Sequence, residues 1–251
     1  MQQSLALALV IALPAFAQAQ QWGDLEGTFV FKGTAPAPKK LEVTKDPEYC
    51  GKHNLVDESL VVNKENGGIA NVVVYLFSPA KVAVHPDYEK AAKTEVKVDN
   101  ENCRFNPRVQ VLRTGQPLVI GNKDPVGHNT KADFFNAQNS PFNDLIPTGG
   151  SVKKTYTGAE AAPVEMSCNI HPWMKGYLVV RDDPYAAVSD KDGKFAIKNI
   201  PAGDHTFIVW SNKYLTDVTV DGKATTWARG RVKLTIKAGK NSLGKVEYAP
   251  K

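Results

Sequence analysis

The sequence contains no uninterrupted apolar run of the roughly 18 residues that a membrane-spanning helix needs; its longest apolar stretch, Leu5 to Ala17, is LALALVIALPAFA. Blocks of like charge are also missing. The 31 Lys and Arg against 26 Asp and Glu leave a net charge of +5, and the lysines are scattered singly. That pattern does not imply nucleic-acid binding and at most biases encounters toward acidic protein partners. Helical periodicity is scarce, the best example being Pro86 to Lys93 (PDYEKAAK), about two turns. There is no G-x-S-x-G, no H-E-x-x-H and no phosphate loop, so the common hydrolase and nucleotide-binding signatures are absent. Three cysteines and three methionines are too few for a disulfide-built scaffold or a Met-rich metal-transfer surface.

What is present is β-sequence in an exported frame. The Leu5 to Ala17 stretch ends at Ala17-Gln18-Ala19, an A-x-A cleavage pattern, so residues 1–19 read as a signal peptide although Met1-Gln2-Gln3 carries no cation. The mature chain is then periplasmic or otherwise outside the cytoplasm. Short alternating or apolar runs bounded by Gly, Pro, Asn and Asp follow along nearly its whole length, among them Thr28 to Phe31, Val72 to Phe77, Val109 to Leu112, Val164 to Cys168, Tyr177 to Val180 and Thr206 to Trp210. This is the pattern of an all-β chain of sandwich type. Breaks near Lys90 to Lys93 and at Asp182-Asp183-Pro184 divide it into 20–94, 95–183 and 184–251.

An odd number of cysteines leaves one outside any internal pair. Cys50 (DPEYCGKH) and Cys103 (DNENCRFNP) both lie among turn residues and are expected to form a disulfide. Cys168 is different, because it ends an alternating strand and opens Cys168-Asn-Ile-His171-Pro-Trp-Met174. A thiolate, an imidazole and a thioether within seven residues, between two strands, can be aimed at one point. Soft sulfur donors with imidazole select copper, and two His, one Cys and a weak axial Met make the ligand set of a blue-copper electron-transfer centre. The second imidazole is expected from His128, in Lys123 to Thr130 (KDPVGHNT). Val164, Met166 and Cys168 fall on one face of their strand, which turns the thiol toward the core.

These residues resemble a cupredoxin. The loop is similar to that of amicyanin in its C-x-x-H-P-aromatic-M-basic-G spacing, filled by Cys168, His171, Pro172, Trp173, Met174, Lys175 and Gly176. Upstream, Phe105-x-Pro107, Val109-x-Val111, Gly115, Asn122-x-Asp124 and His128-Asn129 follow the same family's order. The resemblance covers 95–183 and implies a Greek-key β-sandwich, one type 1 copper, and Asn129 as a tie between the two ligand loops. It further implies a redox protein as partner, a quinoprotein dehydrogenase or a c-type cytochrome. Two departures bear on the metal. Ile170 stands where the amicyanin loop has Pro, restoring an amide N–H that can reach the Cys168 sulfur, and Gly127 before His128, as in azurins, offers a carbonyl as a weak extra axial group.

Residues 190–210 resemble the end of a carboxypeptidase regulatory-like or transthyretin-like β-sandwich, with a D-G turn, a strand, a P-A-G turn and a strand. Its opening strands are found upstream, at Gly27 to Phe31 and Val72 to Leu76, so the copper segment is expected as an insertion into this second, smaller sandwich. Trp173, Pro172 and the outer edge of His171 are expected to form an apolar docking patch. His53, His85 and His205 read as surface or sheet residues, and Phe207 and Trp210 as core. Three other readings stay open: a structural zinc site built on the C-x-x-H pair, copper delivery instead of electron transfer, and a binding module with no redox role.

Overall fold

The computed structural model describes residues 20–249; the signal peptide read at 1–19 lies outside them. The chain is all-β, as its alternation requires, with two β-sandwiches packed against each other. Pro86 to Lys93 does not form one helix. It makes two 3₁₀ turns, Pro86–Tyr88 and Ala91–Lys93, because a segment of about two turns gains too few hydrogen bonds to repay nucleation and settles for tighter local turns.

The terminal sandwich joins both ends of the chain. In one sheet Trp22–Phe31 lies between Lys194–Pro201 and Gly239–Tyr248, with Asp217–Val220 and Lys223–Thr226 beyond. In the other, Val73–Phe77 lies between Ala186–Val188 and Gly203–Ser211, which also pairs with Arg231–Ile236. Leu25, Phe29, Val74, Leu76, Phe195, Phe207 and Val209 fill the space between these sheets. Val73–Phe77 therefore pairs with strands that follow residue 184, and the second sandwich is built from both sides of the inserted segment.

The inserted sandwich has a five-stranded sheet in the order Phe142–Ile146, His128–Ala132, Val164–Ser167, Lys175–Arg181, Val109–Arg113. Facing it is a four-stranded sheet of Ser151–Thr155, Pro117–Asn122, Val96–Glu101 and Arg104–Asn106. Val98, Leu112, Leu118, Ile120, Met166, Leu178 and Val180 form its core. His128 opens a strand and does not sit in a loop.

Strands with continuous apolar runs are explained by burial on both faces. Val74 and Leu76 point into the terminal core, while Val73 and Tyr75 point the other way, onto Tyr177 and Val179 of the inserted sandwich. Ile208, Trp210 and Val109 complete this shared wall. Tyr177 and Trp210 meet edge to face at 4.6 Å. Arg181 bridges the units, donating to the Leu76 carbonyl at 3.1 Å and the Glu160 carbonyl at 2.9 Å.

The stretch 20–94 does not stay with one sandwich. Between Lys39 and Asp57 the chain leaves the terminal unit and folds over the inserted one, placing Leu41, Val43, Tyr49, Cys50 and Leu55 against its core. Cys50 is bonded there to Cys103, across 53 positions of sequence.

Candidate metal centre

The strand Val164–Ser167 delivers Cys168 to one end of the inserted sandwich, and the tight turn after it brings back His171 and Met174. The turn is closed by its own backbone: the Met174 amide donates to the His171 carbonyl at 2.9 Å and the Cys168 amide to the Met174 carbonyl at 3.3 Å. Gly176 lets the next strand leave at once, because a β-carbon there would stand 3.0 Å from the Arg108 carbonyl, the Met166 methyl and the Phe105 β-carbon. His128 arrives from the neighbouring strand of the same sheet. A ring nitrogen of His128, a ring nitrogen of His171 and Cys168 Sγ lie within 4.8 Å of one another, and all three residues are buried. Met174 is also buried beside them in the core.

Which nitrogens face inward follows from the hydrogen bonds. His128 Nε2 is 2.9 Å from Asp124 Oδ2, and His171 Nε2 is 2.9 Å from Asp46 Oδ2. Each carboxylate holds the proton on Nε2 and leaves Nδ1 bare, the arrangement in which a histidine is a metal ligand with a carboxylate behind it. His171 Nδ1 stands 3.8 Å from Cys168 Sγ, a spacing that one ion bonded at about 2.0–2.3 Å to each donor can bridge. His128 Nδ1 is buried and has no hydrogen-bond partner. An orphaned nitrogen in a protein interior costs about 1–3 kcal/mol, so this atom is open to a ligand. The residues present fit a bound copper ion.

Electrostatics favour the thiolate and the neutral His171 that a metal needs, but also favour a proton on His128 that metal binding must displace. Burial opposes ionisation of Cys168, but the neighbouring His128 imidazole and backbone amides outweigh it and hold the thiol below its ordinary range. Burial also opposes a charge on His128, which Asp124 and Cys168 reverse, so its pKa is raised. For His171 burial prevails over the Asp46 contact, and its pKa is lowered. Asp124 is the hub. Burial would raise its pKa, but donation from His128, the Cys103 amide, the Tyr49 hydroxyl and the Asn102 amide brings it down to about 2.

Asn129 joins the two ligand segments: its Oδ1 accepts from the Asn169 amide at 2.8 Å and the Ile170 amide at 3.2 Å, and lies 3.4 Å from Cys168 Sγ. The Ile170 N–H is thus taken by Asn129, and the amide directed at the sulfur is that of His171, at 3.4 Å. The Ile170 amide still helps to lower the Cys168 pKa, and the tight turn adds the amide three residues after Cys168. Gly127 is half-buried, and a β-carbon there would meet nothing within 4 Å.

The expected exposed edge of His171 is also corrected. The side chain is 0% exposed, because Asp46 and the segment around it cover the ring. Of the docking patch, Pro172 is exposed and Trp173 is half-buried, 5.2 Å from the His171 ring and donating through Nε1 to the Cys103 carbonyl at 3.3 Å. Trp173 and Met174 also line a cleft of about 380 Å³ between the 39–57 segment and the inserted sandwich, with Arg104 and Arg108 on its wall. His53, His85 and His205 lie outside the cluster: His53 packs edge-on to Tyr49, His85 starts a 3₁₀ turn, and His205 meets the Pro201 carbonyl at 2.7 Å.

Asp46 is a site residue that sequence reasoning missed, and Asp124 was noted in its motif without a role. Asp124 had a local signal, four positions before His128, while Asp46 is distant in sequence and marked only by its nearness to Cys50. Among the described residues no helix is long and apolar enough to cross a membrane.

No protein-family model and no curated protein matches the chain. Among solved structures, it is similar to a Cu-containing nitrite reductase from Thermus scotoductus, with 22% identity and a TM-score of 0.31, over 42% of this chain and 25% of that one. The chain thus spans about a quarter of that enzyme's length. A purple cupredoxin from Nitrosopumilus maritimus matches with 19% identity and a TM-score of 0.28, over 34% of this chain and 97% of its own. A Cu(I) form of an amicyanin variant matches with 17% identity and a TM-score of 0.32, over 44% and 99%.

Proposed function

We propose that the protein is an exported copper protein that carries single electrons between redox partners and does no bond chemistry of its own. His128, Cys168 and His171 would hold the metal, with the Met174 thioether as a further, weaker donor. The observation that carries this reading is the buried, unpartnered Nδ1 of His128, beside a thiol held below its ordinary pKa and a second imidazole with its Nδ1 toward the sulfur. A copper ion bound there supplies reversible Cu(II)/Cu(I) exchange.

The chain's own residues keep the site from rearranging. Asp124 and Asp46 fix both imidazole tautomers, and Asn129 locks the Cys168 turn to the His128 strand. The His171 amide donates to the sulfur, which withdraws charge from the thiolate and tunes the affinity for each copper state. Pro172 and Trp173 form the face offered to a partner, a quinoprotein dehydrogenase or a c-type cytochrome in the periplasm.

The test is a visible and electron-paramagnetic-resonance spectrum of the chain loaded with Cu(II), with His128→Ala and Cys168→Ser beside it. An intense thiolate-to-copper band that ascorbate bleaches reversibly, and that both variants lack, is expected. A colourless protein that binds zinc tightly, or binds no metal, overturns the proposal.

A further inference from the structure

Residues 39–57 form a closed excursion. Its base is zipped by the Leu41 amide to the Leu55 carbonyl at 3.0 Å and the Asp57 amide to the Lys39 carbonyl at 2.8 Å. Its tip carries Asp46 and the short helix Pro47–Cys50. Asp46 occupies the N-cap position of that helix, where an aspartate ordinarily turns its carboxylate onto the helix amides. Here the side chain makes no capping bond. The backbone adopts the left-handed conformation (φ 46°), and the carboxylate accepts from His171 Nε2 instead. An unfavourable backbone well and a forgone cap persist where surrounding structure imposes them, and the imposing contact is to a metal-site histidine.

The same tip reaches the other histidine. The Tyr49 hydroxyl donates to Asp124 Oδ1 at 2.8 Å, and Asp124 Oδ2 meets His128 Nε2. Next to Tyr49, Cys50 is bonded to Cys103, whose amide donates to Asp124 Oδ2 at 2.8 Å and whose carbonyl accepts from Trp173. The Asp46 side chain is about a third exposed, whereas the imidazole behind it is sealed.

We propose that residues 39–57 are a cap that positions both histidines from outside the inserted sandwich, with Asp46 as the positioning residue of His171, and that the Cys50–Cys103 bond is the latch holding it closed. A redox partner then meets a centre whose histidine edge is closed, and whose open approaches are Pro172 and the Trp173 side. The assignment rests on the copper reading above, so its test begins on metal-free protein.

Nitrogen NMR of the metal-free full chain reads the imidazole tautomers and the exchange rates of their ring protons. Both rings are expected as the Nε2–H tautomer with slow exchange. Asp46→Ala should raise the exchange rate of the His171 ring proton by roughly tenfold or more, as local opening would, and leave that of His128 slow. Asp46→Asn, which keeps a carbonyl acceptor, should restore most of the protection. The double variant Cys50→Ser with Cys103→Ser should expose both rings. Copper affinity should then fall roughly 10–100-fold in Asp46→Ala, the usual effect of losing a ligand's hydrogen-bond partner. Unchanged exchange at His171 in Asp46→Ala overturns the cap, as does full protection of both rings in the double variant. Should the double variant not fold, the Asp46 pair still decides. Should no form bind copper, the electron-transfer reading fails, while the exchange rates still decide whether the cap exists.

Discussion

Replacing Asp124 by Asn tests the hub directly, since the change is nearly isosteric and removes a single charge. The carboxylate is buried and receives four donors: Tyr49 Oη at 2.8 Å and the Asn102 amide at 2.6 Å on Oδ1, the Cys103 amide at 2.8 Å and His128 Nε2 at 2.9 Å on Oδ2. An asparagine has one acceptor oxygen and one NH₂. With the oxygen toward His128 and Cys103, the NH₂ meets the Tyr49 hydroxyl, which can rotate to accept, and the Asn102 amide, which cannot. One donor is orphaned, at about 1–3 kcal/mol, and the two retained bonds lose their ionic partner, at about 1 kcal/mol each. The sum is about 3–5 kcal/mol, or a fall in Tm of roughly 6–20 °C for a chain of this size. In the opposite orientation the NH₂ faces His128, whose proton must move to Nδ1 and occupy the metal-facing lone pair. Copper affinity therefore falls by roughly 10–100-fold in either case. Thermal unfolding of the metal-free protein reads the first effect, and competitive titration with a copper chelator reads the second. Tyr49→Phe removes one donor of four and should cost only about 1–2 kcal/mol. A Tm for Asp124→Asn within about 2 °C of the parent, less than the shift from 1 kcal/mol, together with unchanged copper affinity, would refute the reasoning.

Other consequences are independent of the metal. Gly193→Ala should destabilise by about 3 kcal/mol or more, because φ is 77° and the new β-carbon would stand 2.0 Å from the Phe29 carbonyl; Gly33→Ala, at φ 93° with nothing within 4 Å, should cost only about 1 kcal/mol. Chemical denaturation of the two variants separates clash from conformational cost. Trp210→Ala should cost about 3–5 kcal/mol, since the ring is buried in the wall between the sandwiches, and calorimetry should show the two units melting apart. Burial pushes the Asp183 carboxyl above its ordinary value, against donation from the Tyr185 amide and the nearby Arg181. The folded chain thus retains a proton that the unfolded chain has lost, and this group's contribution to stability declines as pH rises from the ordinary carboxylate value through the raised one. Asp183→Asn keeps the Tyr185 bond and should be more stable than the parent at pH 7, the difference vanishing near pH 4; a constant difference in Tm across that range would contradict the assignment.

Alternation was enough to read most of the longer strands, though not His128–Ala132, and ligand chemistry enough to single out Cys168, His171, Met174 and His128, because both signals are local or carried by rare residue types. The Cys50–Cys103 bond was legible for the same reason. Asp46 was not, since nothing in DPEYC tells a helix-capping aspartate from one that turns away to an imidazole; only the three-dimensional path of 39–57 decides. The exposed His171 edge was expected from an isolated sandwich, and burial by a distant segment reversed it. Phe142–Ile146 escaped because only its last residue is fully buried, leaving little hydrophobic contrast to mark a strand.

The pairing of the terminal strands governs the order in which the protein can be assembled. Trp22–Phe31 lies parallel to Gly239–Tyr248, with Gly23 opposite Gly239, and its other neighbour is Lys194–Pro201. As the chain emerges from a ribosome or a translocation pore, the first strand therefore finds neither flanking strand until Lys194–Pro201 has appeared. Until then only its end is held, by the Val30–Gly68 bridge and the Phe31 amide on the Gly67 carbonyl, and the rest is an unpaired β edge, the state most open to wrong pairing. The inserted sandwich is complete earlier, at Lys175–Arg181, and its folding draws the two flanking segments together, shortening the loop that the last pairing must close. Its first service to the molecule is then as a scaffold for closing the chain on itself, before any metal or partner is met.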